Sequence, residues 1–329
     1  MTVEQTIAVI GATGAQGGSV TRSLLQNPHI RVRCITRDAS TPKATELRDL
    51  GATVVQADTT SPQALEQALA GVWGLYVNYT VFGMEPTVSE NLGKTILSSA
   101  AAVGVKHVVF SSDPDPELLT GGQVILSAMG VKAKAEAWAR KNLHFKSFTP
   151  IQAGWYLENF QSKELLEFHG GFPSQTDQEG YRTCRFPYWG GREEVPWISI
   201  RDDYGDLVHG VFLNPLRWNF RVIQAVADPL SFGEMTRIFS QVTGQAARFV
   251  PYASPAELGG DLTEGPASMF VYTQLRGGEY FSNGVTETRT AVQLKKAAYR
   301  AKGGQGRETL TGVGEWFERE FPGGRAVAI

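Results

Sequence analysis

The chain has 329 residues, with 31 Lys+Arg against 33 Asp+Glu and a formal net charge of −2. That length supplies a real core for one two-lobed unit or two domains, and the near-neutral balance gives no basic field for nucleic acid or an anionic membrane. No apolar run approaches the ~20 residues of a membrane span, and no charged-then-apolar leader opens the chain, so the expected location is cytoplasmic. Cys34 and Cys184 share no ligand-like spacing with each other or with the five histidines, which argues against a zinc site.

Residues 6–18, TIAVIGATGAQGG, place a β-branched strand before glycines at Gly11, Gly14 and Gly17 and a helix-compatible stretch from Ser19 to Leu25. Strand, glycine turn and helix in that order are what a dinucleotide-binding βαβ unit needs. Gly11 permits the tight turn, Gly14 lets the backbone approach a pyrophosphate, and Gly17 lets the helix press against the sheet. Thr13, Ala15 and Gln16 of the same loop are expected at the cofactor.

Strands then alternate with helices. RVRCIT (31–36) reads as the second strand, 42–50 as a helix, 52–57 as the third strand and 61–71 as a helix. The fourth strand is 72–78, followed by a helix over 87–104, and the fifth is 106–112, followed by a helix over 131–142. A sixth strand is read at 145–151. Continuous apolar strands separated by helices predict a parallel sheet covered on both faces, with the ligand crevice at the strands' carboxyl ends. Cys34 falls inside a strand and reads as a small buried residue.

After 151 the rhythm breaks. Residues 151–220 hold fourteen aromatics, about twice the chain's density, punctuated by Gly-Gly pairs and prolines. This stretch suits either aromatic walls over the crevice, including Trp155, Tyr156, Tyr188 and Trp189, or an inter-lobe core. A helix is read at 202–212, a seventh strand at 220–226, helices at 231–243 and 288–302, and a loose tail at PGGRAVAI.

The fold class is therefore α/β. A doubly wound parallel-sheet Rossmann domain is expected over 1–153, completed by about 202–228. A smaller mixed α+β C-terminal substrate lobe takes 154–201 and 229–329.

The end of the second strand reads the adenosine ribose, where an acid accepts from the 2′-OH of NAD and an arginine suits the 2′-phosphate of NADP. Arg37 stands twenty residues after Gly17, between Thr36 and Asp38, and Lys43 adds a cation from the next helix, so NADP(H) is the expected cofactor. Asp38 either caps the loop or favours NAD. Asp58 suits the adenine amino group or a simple turn. Asn78 and Tyr79 are expected to contact the cofactor or close over it, unless Tyr79 is packed at a strand end.

GATGAQGGSV, ITRD (35–38), GATVVQAD (51–58), GVKHVVFSS (104–112) and TPIQAGWYLENF (149–160) together resemble the NmrA-like family, atypical members of the short-chain dehydrogenase/reductase superfamily. The likeness covers nearly all of 5–165 and, more loosely, the DDYGDLV helix. It implies an NADP(H)-preferring Rossmann domain with a small C-terminal substrate lobe. The family holds both reductases and non-catalytic dinucleotide sensors. Ordinary superfamily members use a serine after the fifth strand and a Tyr-x-x-x-Lys on the next helix. Here Ser111 and Ser112 end the strand, Lys132 is the best lysine match, and Ala128 stands where the tyrosine would be.

In related reductase branches the lysine itself serves as acid/base, which the resemblance carries to Lys132, against the plain reading of a surface lysine. Lys134, two residues on, points about 200° away. Tyr156 and Asn159 match the family's loop bordering the nicotinamide, and Tyr156 is a further candidate donor. His169 is read as an exposed loop residue rather than a proton shuttle. Turn formation explains Asp113 and Asp115, and the helix dipole explains Asp202, Asp203 and Asp206. Ser111 lacks a nucleophile elbow, which argues against acyl-transfer chemistry, and Ser111 or Ser112 is expected to position the substrate oxygen. The sequence thus predicts an NADPH-dependent reductase of a carbonyl or conjugated double bond on an apolar or aromatic small molecule. The alternative is an NADP(H)/NADP⁺ redox sensor acting through a protein partner.

Overall fold

The computed structural model describes residues 4–81 and 83–322. Seven parallel strands form the main sheet: β1 Gln5–Ile10, β2 Ile30–Thr36, β3 Thr53–Gln56, β4 Gly74–Val77, β5 His107–Ser112 and β6 Ser147–Ala153, with a late strand at Ile223–Ala225. Their order is late strand, β6, β5, β4, β1, β2, β3. β4, β5 and β6 are buried at every position, as continuous apolar strands covered on both faces must be. The order reverses between β1 and β4, which opens a crevice at their carboxyl ends.

On one face α1 (Ala15–Leu25) and α2 (Pro42–Asp49) cover the sheet, and on the other lie α3 (Pro62–Leu69) and α4 (Pro86–Ala102). Thr41 and Ser61 cap α2 and α3 by accepting from Ala44 and Ala64 N–H, each with a proline at the first helical position. A one-turn α5 (Pro116–Leu119) precedes α6 (Ser127–Asn142), which joins α4 over the second face. Helix α6 begins four residues earlier than the sequence suggested, so Lys132 lies in its second turn.

Beyond β6 the chain forms β7 (Trp155–Tyr156), β8 (Arg182–Cys184) and β9 (Val195–Ile198), then a π-helical turn (Ile200–Tyr204) running into α7 (Gly205–Leu213). The late strand of the main sheet is thus β10, parallel to β6. β11 (Asp228–Leu230) pairs antiparallel with β9, which pairs parallel with β7, while β12 (Ala247–Phe249) pairs with β8. Helices α8 (Phe232–Thr243), α9 (Ser268–Leu275), α10 (Arg289–Ala301) and α11 (Val313–Glu320) complete the chain. The residues after Pro322, in the predicted tail, lie outside the described residues.

Most of the aromatic segment is core. Phe172, Phe186, Trp189 and Trp197 are fully buried with Phe232, Phe239, Phe270 and Trp316, and Trp155 meets Trp189 edge-on at 5.1 Å. Tyr188 is half exposed against Phe249. A packed core, built mostly from residues after β6, and not a wall of aromatics over the crevice, is the outcome for these residues. His169 is likewise not an exposed loop histidine. It is buried against Phe160, Phe168 and Phe186, and burial pushes its imidazole down to about 4.

Asp203 and Asp206 also depart from the helix-dipole reading. Both are buried, and the Lys295 ammonium of α10 lies 2.9 Å from Asp203 and 2.8 Å from Asp206. Lys302 adds a second cation at 2.7 Å from Asp206, and Ser23 of α1 donates to the same carboxylate. The cluster ties α1, α7 and α10 together. Gly205 and Gly210 permit this packing, since a Cβ at either would sit 2.2 Å from Ser19 O and 2.5 Å from Leu294 O.

Candidate functional site

A cleft of about 420 Å³ opens at the carboxyl ends of β1, β2, β3 and β4. Its walls include Gly11, Thr13, Gly14 and Gln16 after β1, Thr36 and Arg37 ending β2, and Thr59 and Thr60 after β3. Asn78, Tyr79, Val81 and Met84 after β4, Leu92 of α4, Lys132 of α6 and Tyr156 of β7 close it. The ends of four strands, two helices and β7 thus converge where the topology leaves an opening.

The glycine loop is built for backbone approach. Gly11 sits at φ +79°, and a Cβ there would lie 2.4 Å from Asn78 O. At Gly17 a Cβ would lie 2.1 Å from Gly11 O, so only glycine lets α1 seat against the loop. Gly14 caps α1 with no side-chain hydrogen bond, which leaves first-turn N–H groups to face an anion. Ala15 is exposed on that turn and Gly17 lies beneath it, so neither forms a wall.

Arg37 is exposed at the end of β2 and forms no ion pair among the described residues. Asp38 is occupied as a loop cap, accepting from Ser40 N at 2.8 Å and Oγ at 2.6 Å, and these bonds hold its carboxyl below the usual range. Asp58 behaves the same way. Thr60 N and Oγ1 donate to it at 2.9 and 2.8 Å and lower its pKa, the turn reading, while Thr59 and Thr60 supply the wall instead. Lys43 is exposed on α2 and Asn159 half-buried in the turn after β7; neither belongs to the walls.

Lys132 is no surface lysine. It is 8% exposed, and its ammonium donates to Asn78 Oδ1 at 3.2 Å and lies 3.5 Å from the Asp113 carboxylate. Asp113, read from sequence as a turn residue, therefore faces the cleft's cation. Burial pushes its carboxyl up and Lys132 pulls it back. Lys134 points away and pairs with Glu117 at 2.9 Å. Tyr79 is buried against Phe110, its hydroxyl without a hydrogen-bond partner among the described residues, which is the packed alternative at a wall position.

Ser111 and Ser112 both turn inward. Ser112 donates to the buried Glu136, which also pairs with Arg140 at 2.8 Å. Ser111 is 2% exposed and donates to Gln16 Oε1 at 2.8 Å. Tyr76 donates to the same oxygen at 2.7 Å, and Gln16 Nε2 donates to the Tyr156 hydroxyl at 2.5 Å. A substrate-positioning role for Ser111 is not what its geometry shows, because its hydroxyl is spent inside the protein. Tyr76, which donates to Gln16, and Tyr204, whose hydroxyl lies 3.2 Å from that of Tyr76, carry no sequence signal: each looks like an ordinary core aromatic.

No helix among the described residues is long and apolar enough to cross a membrane. The family model described as the NmrA-like family matches residues 3–282. The chain is 47% identical over 307 residues to the NmrA-like family domain-containing oxidoreductase himF of Aspergillus japonicus, covering 91% of this chain and 92% of that one. It is 45% identical to the oxidoreductase lnaB of Aspergillus flavus, covering 96% and 97%. Among solved structures, NmrA, a negative transcriptional regulator, in complex with NADP superposes with a TM-score of 0.74 at 22% identity, covering 97% of this chain and 96% of that one. The Citrobacter triphenylmethane reductase complexed with NADP(H) gives 0.65 at 21%, covering 95% and 99%. These likenesses carry the fold, while the family model and the relatives above 40% carry kinship. The chain belongs to the NmrA-like family.

Proposed function

We propose that the protein is an NADP(H)-dependent oxidoreductase that reduces a carbonyl or conjugated double bond of an apolar or aromatic small molecule. The observation that carries this reading is Lys132, a cation held by Asn78 and Asp113 in the wall of the same cleft as the glycine loop. The residues suit the dinucleotide: the loop is a cradle that a Cβ at Gly11 or Gly17 would fill, and the first turn of α1 lacks a side-chain cap. Arg37 offers a planar fork to a 2′-phosphate. Bound NADPH supplies hydride-transfer chemistry. Lys132 supplies the proton to the carbonyl oxygen, or to the α-carbon of a conjugated double bond, and Tyr79, Val81, Met84 and Leu92 give an apolar wall that excludes water. The names of the relatives, oxidoreductases at 45–47% identity, support the reading.

The test is NADPH oxidation across aromatic aldehydes, aryl ketones and enones, in the wild type and in Lys132→Met. Turnover in the wild type, lost in the variant while NADPH still binds, is the expected result. Full turnover in the variant removes the role given to Lys132.

One observation favours a second reading. The aromatics that would have argued for a substrate wall are core, with Trp189 and Trp197 fully buried. On that reading the protein senses the redox state of NADP(H) and signals to a protein partner. A large preference for one redox form, with no turnover of any probe, supports it.

A further inference from the structure

We infer that Gln16 is a positioning residue: it turns the Tyr156 hydroxyl so that its proton is offered into the cleft, to a carbonyl oxygen of the substrate. This deepens the reductase reading and rests on it. Gln16 comes from the glycine loop, but its side chain is 5% exposed and faces inward. Its Oε1 accepts from Ser111 at 2.8 Å and from Tyr76 at 2.7 Å. The Nε2 end then faces Tyr156 at 2.5 Å. Tyr204, on the π-helical turn, has its hydroxyl 3.2 Å from that of Tyr76.

The resulting chain is directional. Tyr76 and Ser111 feed the Gln16 carbonyl, and the Gln16 amide feeds the Tyr156 oxygen. Each bond polarises the next in a site of low dielectric. A phenol oxygen that accepts from Gln16 keeps its own O–H free, and Tyr156 is a wall of the cleft. Burial pushes the Tyr156 phenol well above its ordinary value, so it stays neutral and donates a hydrogen bond rather than a proton. Labour is thereby divided: Tyr156 holds the substrate oxygen, and Lys132 carries the proton. A donor fixed before the reaction is worth more than one that must reorient.

Infrared spectroscopy of protein carrying ring-labelled tyrosine tests this without the natural substrate. The wild-type minus Tyr156→Phe difference isolates one phenol, whose C–O stretch lies at low frequency when it only accepts and at high frequency when it donates. We expect the low-frequency band in the wild type and a move to high frequency in Gln16→Glu, where a carboxylate draws the phenol proton inward. Adding NADP⁺ with acetophenone as the carbonyl probe is expected to move the wild-type band upward, and to leave the Gln16→Glu band in place. A high-frequency band in the free wild type, or a band that acetophenone does not move, overturns the inference. Acetophenone need not be reduced, so failure of the reductase reading, seen as absent NADPH oxidation, is distinguishable from failure here.

Discussion

The Asp113 carboxylate lies 3.5 Å from the Lys132 ammonium, bringing the residue that follows β5 against the second turn of α6. Burial raises the Asp113 carboxyl and the lysine offsets that, so the carboxylate depends on the Lys132 ammonium to stay ionised.

Lys132→Met is expected to lower kcat by about a hundredfold or more while leaving the NADPH Kd within a few-fold, as loss of a general acid does. It also strands Asp113. The urea midpoint is expected to fall by the equivalent of about 1–2 kcal/mol, less than for a fully buried pair because Asp113 keeps some water. Adding Asp113→Asn is expected to restore stability without restoring turnover. If the single and double variants have the same midpoint, the pair is not what holds these groups.

Gly17→Ala and Gly14→Ala separate close packing from mere proximity. A Cβ at Gly17 would lie 2.1 Å from Gly11 O and 2.9 Å from Ala12 Cα, whereas at Gly14 the nearest atom, Gly11 O, is 3.3 Å away. Gly17→Ala is expected to cost about 2–3 kcal/mol by overpacking and to abolish tight NADPH binding. Gly14→Ala is expected to stay within about 1 kcal/mol, the scale of an altered N-cap. Thermal melts with NADPH titrations read both.

Acid should weaken the fold through its buried histidines. His169 and His209 are each pushed down to about 4, chiefly by burial, against 6.5 when free. Between those values the unfolded chain binds more protons than the folded one. Stability is therefore complete above pH 6.5 and is lost as pH falls toward 4, by up to about 3 kcal/mol per histidine. His169 Nδ1 has no hydrogen-bond partner among the described residues, and its neighbours are aromatic. His169→Phe is thus expected to flatten the stability profile between pH 6.5 and 4. An unchanged slope in urea melts across that window contradicts this.

The ion cluster under α1 sets a further test. Lys295→Met leaves Asp203 and Asp206 short of a cation 2.9 and 2.8 Å away. Breaking so buried a set is expected to cost about 3–5 kcal/mol in chemical denaturation, far more than a surface lysine would. A loss below about 1 kcal/mol would show that Lys302 alone neutralises the pair.

The sheet was legible because its strands are continuous apolar runs and its turns carry glycines at fixed offsets. Gly11 and Gly17 meet the backbone where the motif's spacing says they must. The burial of Lys132 was not legible: helical spacing alone allowed a surface lysine, and only a family resemblance singled the residue out. What escaped lies in partners distant in sequence. Asp113 looked like a turn aspartate because its cation sits nineteen residues on. Ser111 looked available because its acceptor, Gln16, is 95 residues back, and Asp203 and Asp206 looked like dipole charges because Lys295 arrives from α10. The aromatic run of 151–220 had the composition of a pocket and of a core alike, and only its packing tells them apart.

The central claim is that this cleft takes NADP(H) with Arg37 at the 2′-phosphate. Titration of NADPH and NADH into the wild type and Arg37→Ala, followed by tryptophan fluorescence, tests it most directly. The account predicts NADPH binding at least about tenfold tighter than NADH, with the difference erased in Arg37→Ala by loss of NADPH affinity alone, the worth of a charge-assisted bond to phosphate. Equal affinities in the wild type, a preference for NADH, or no binding of either contradicts it.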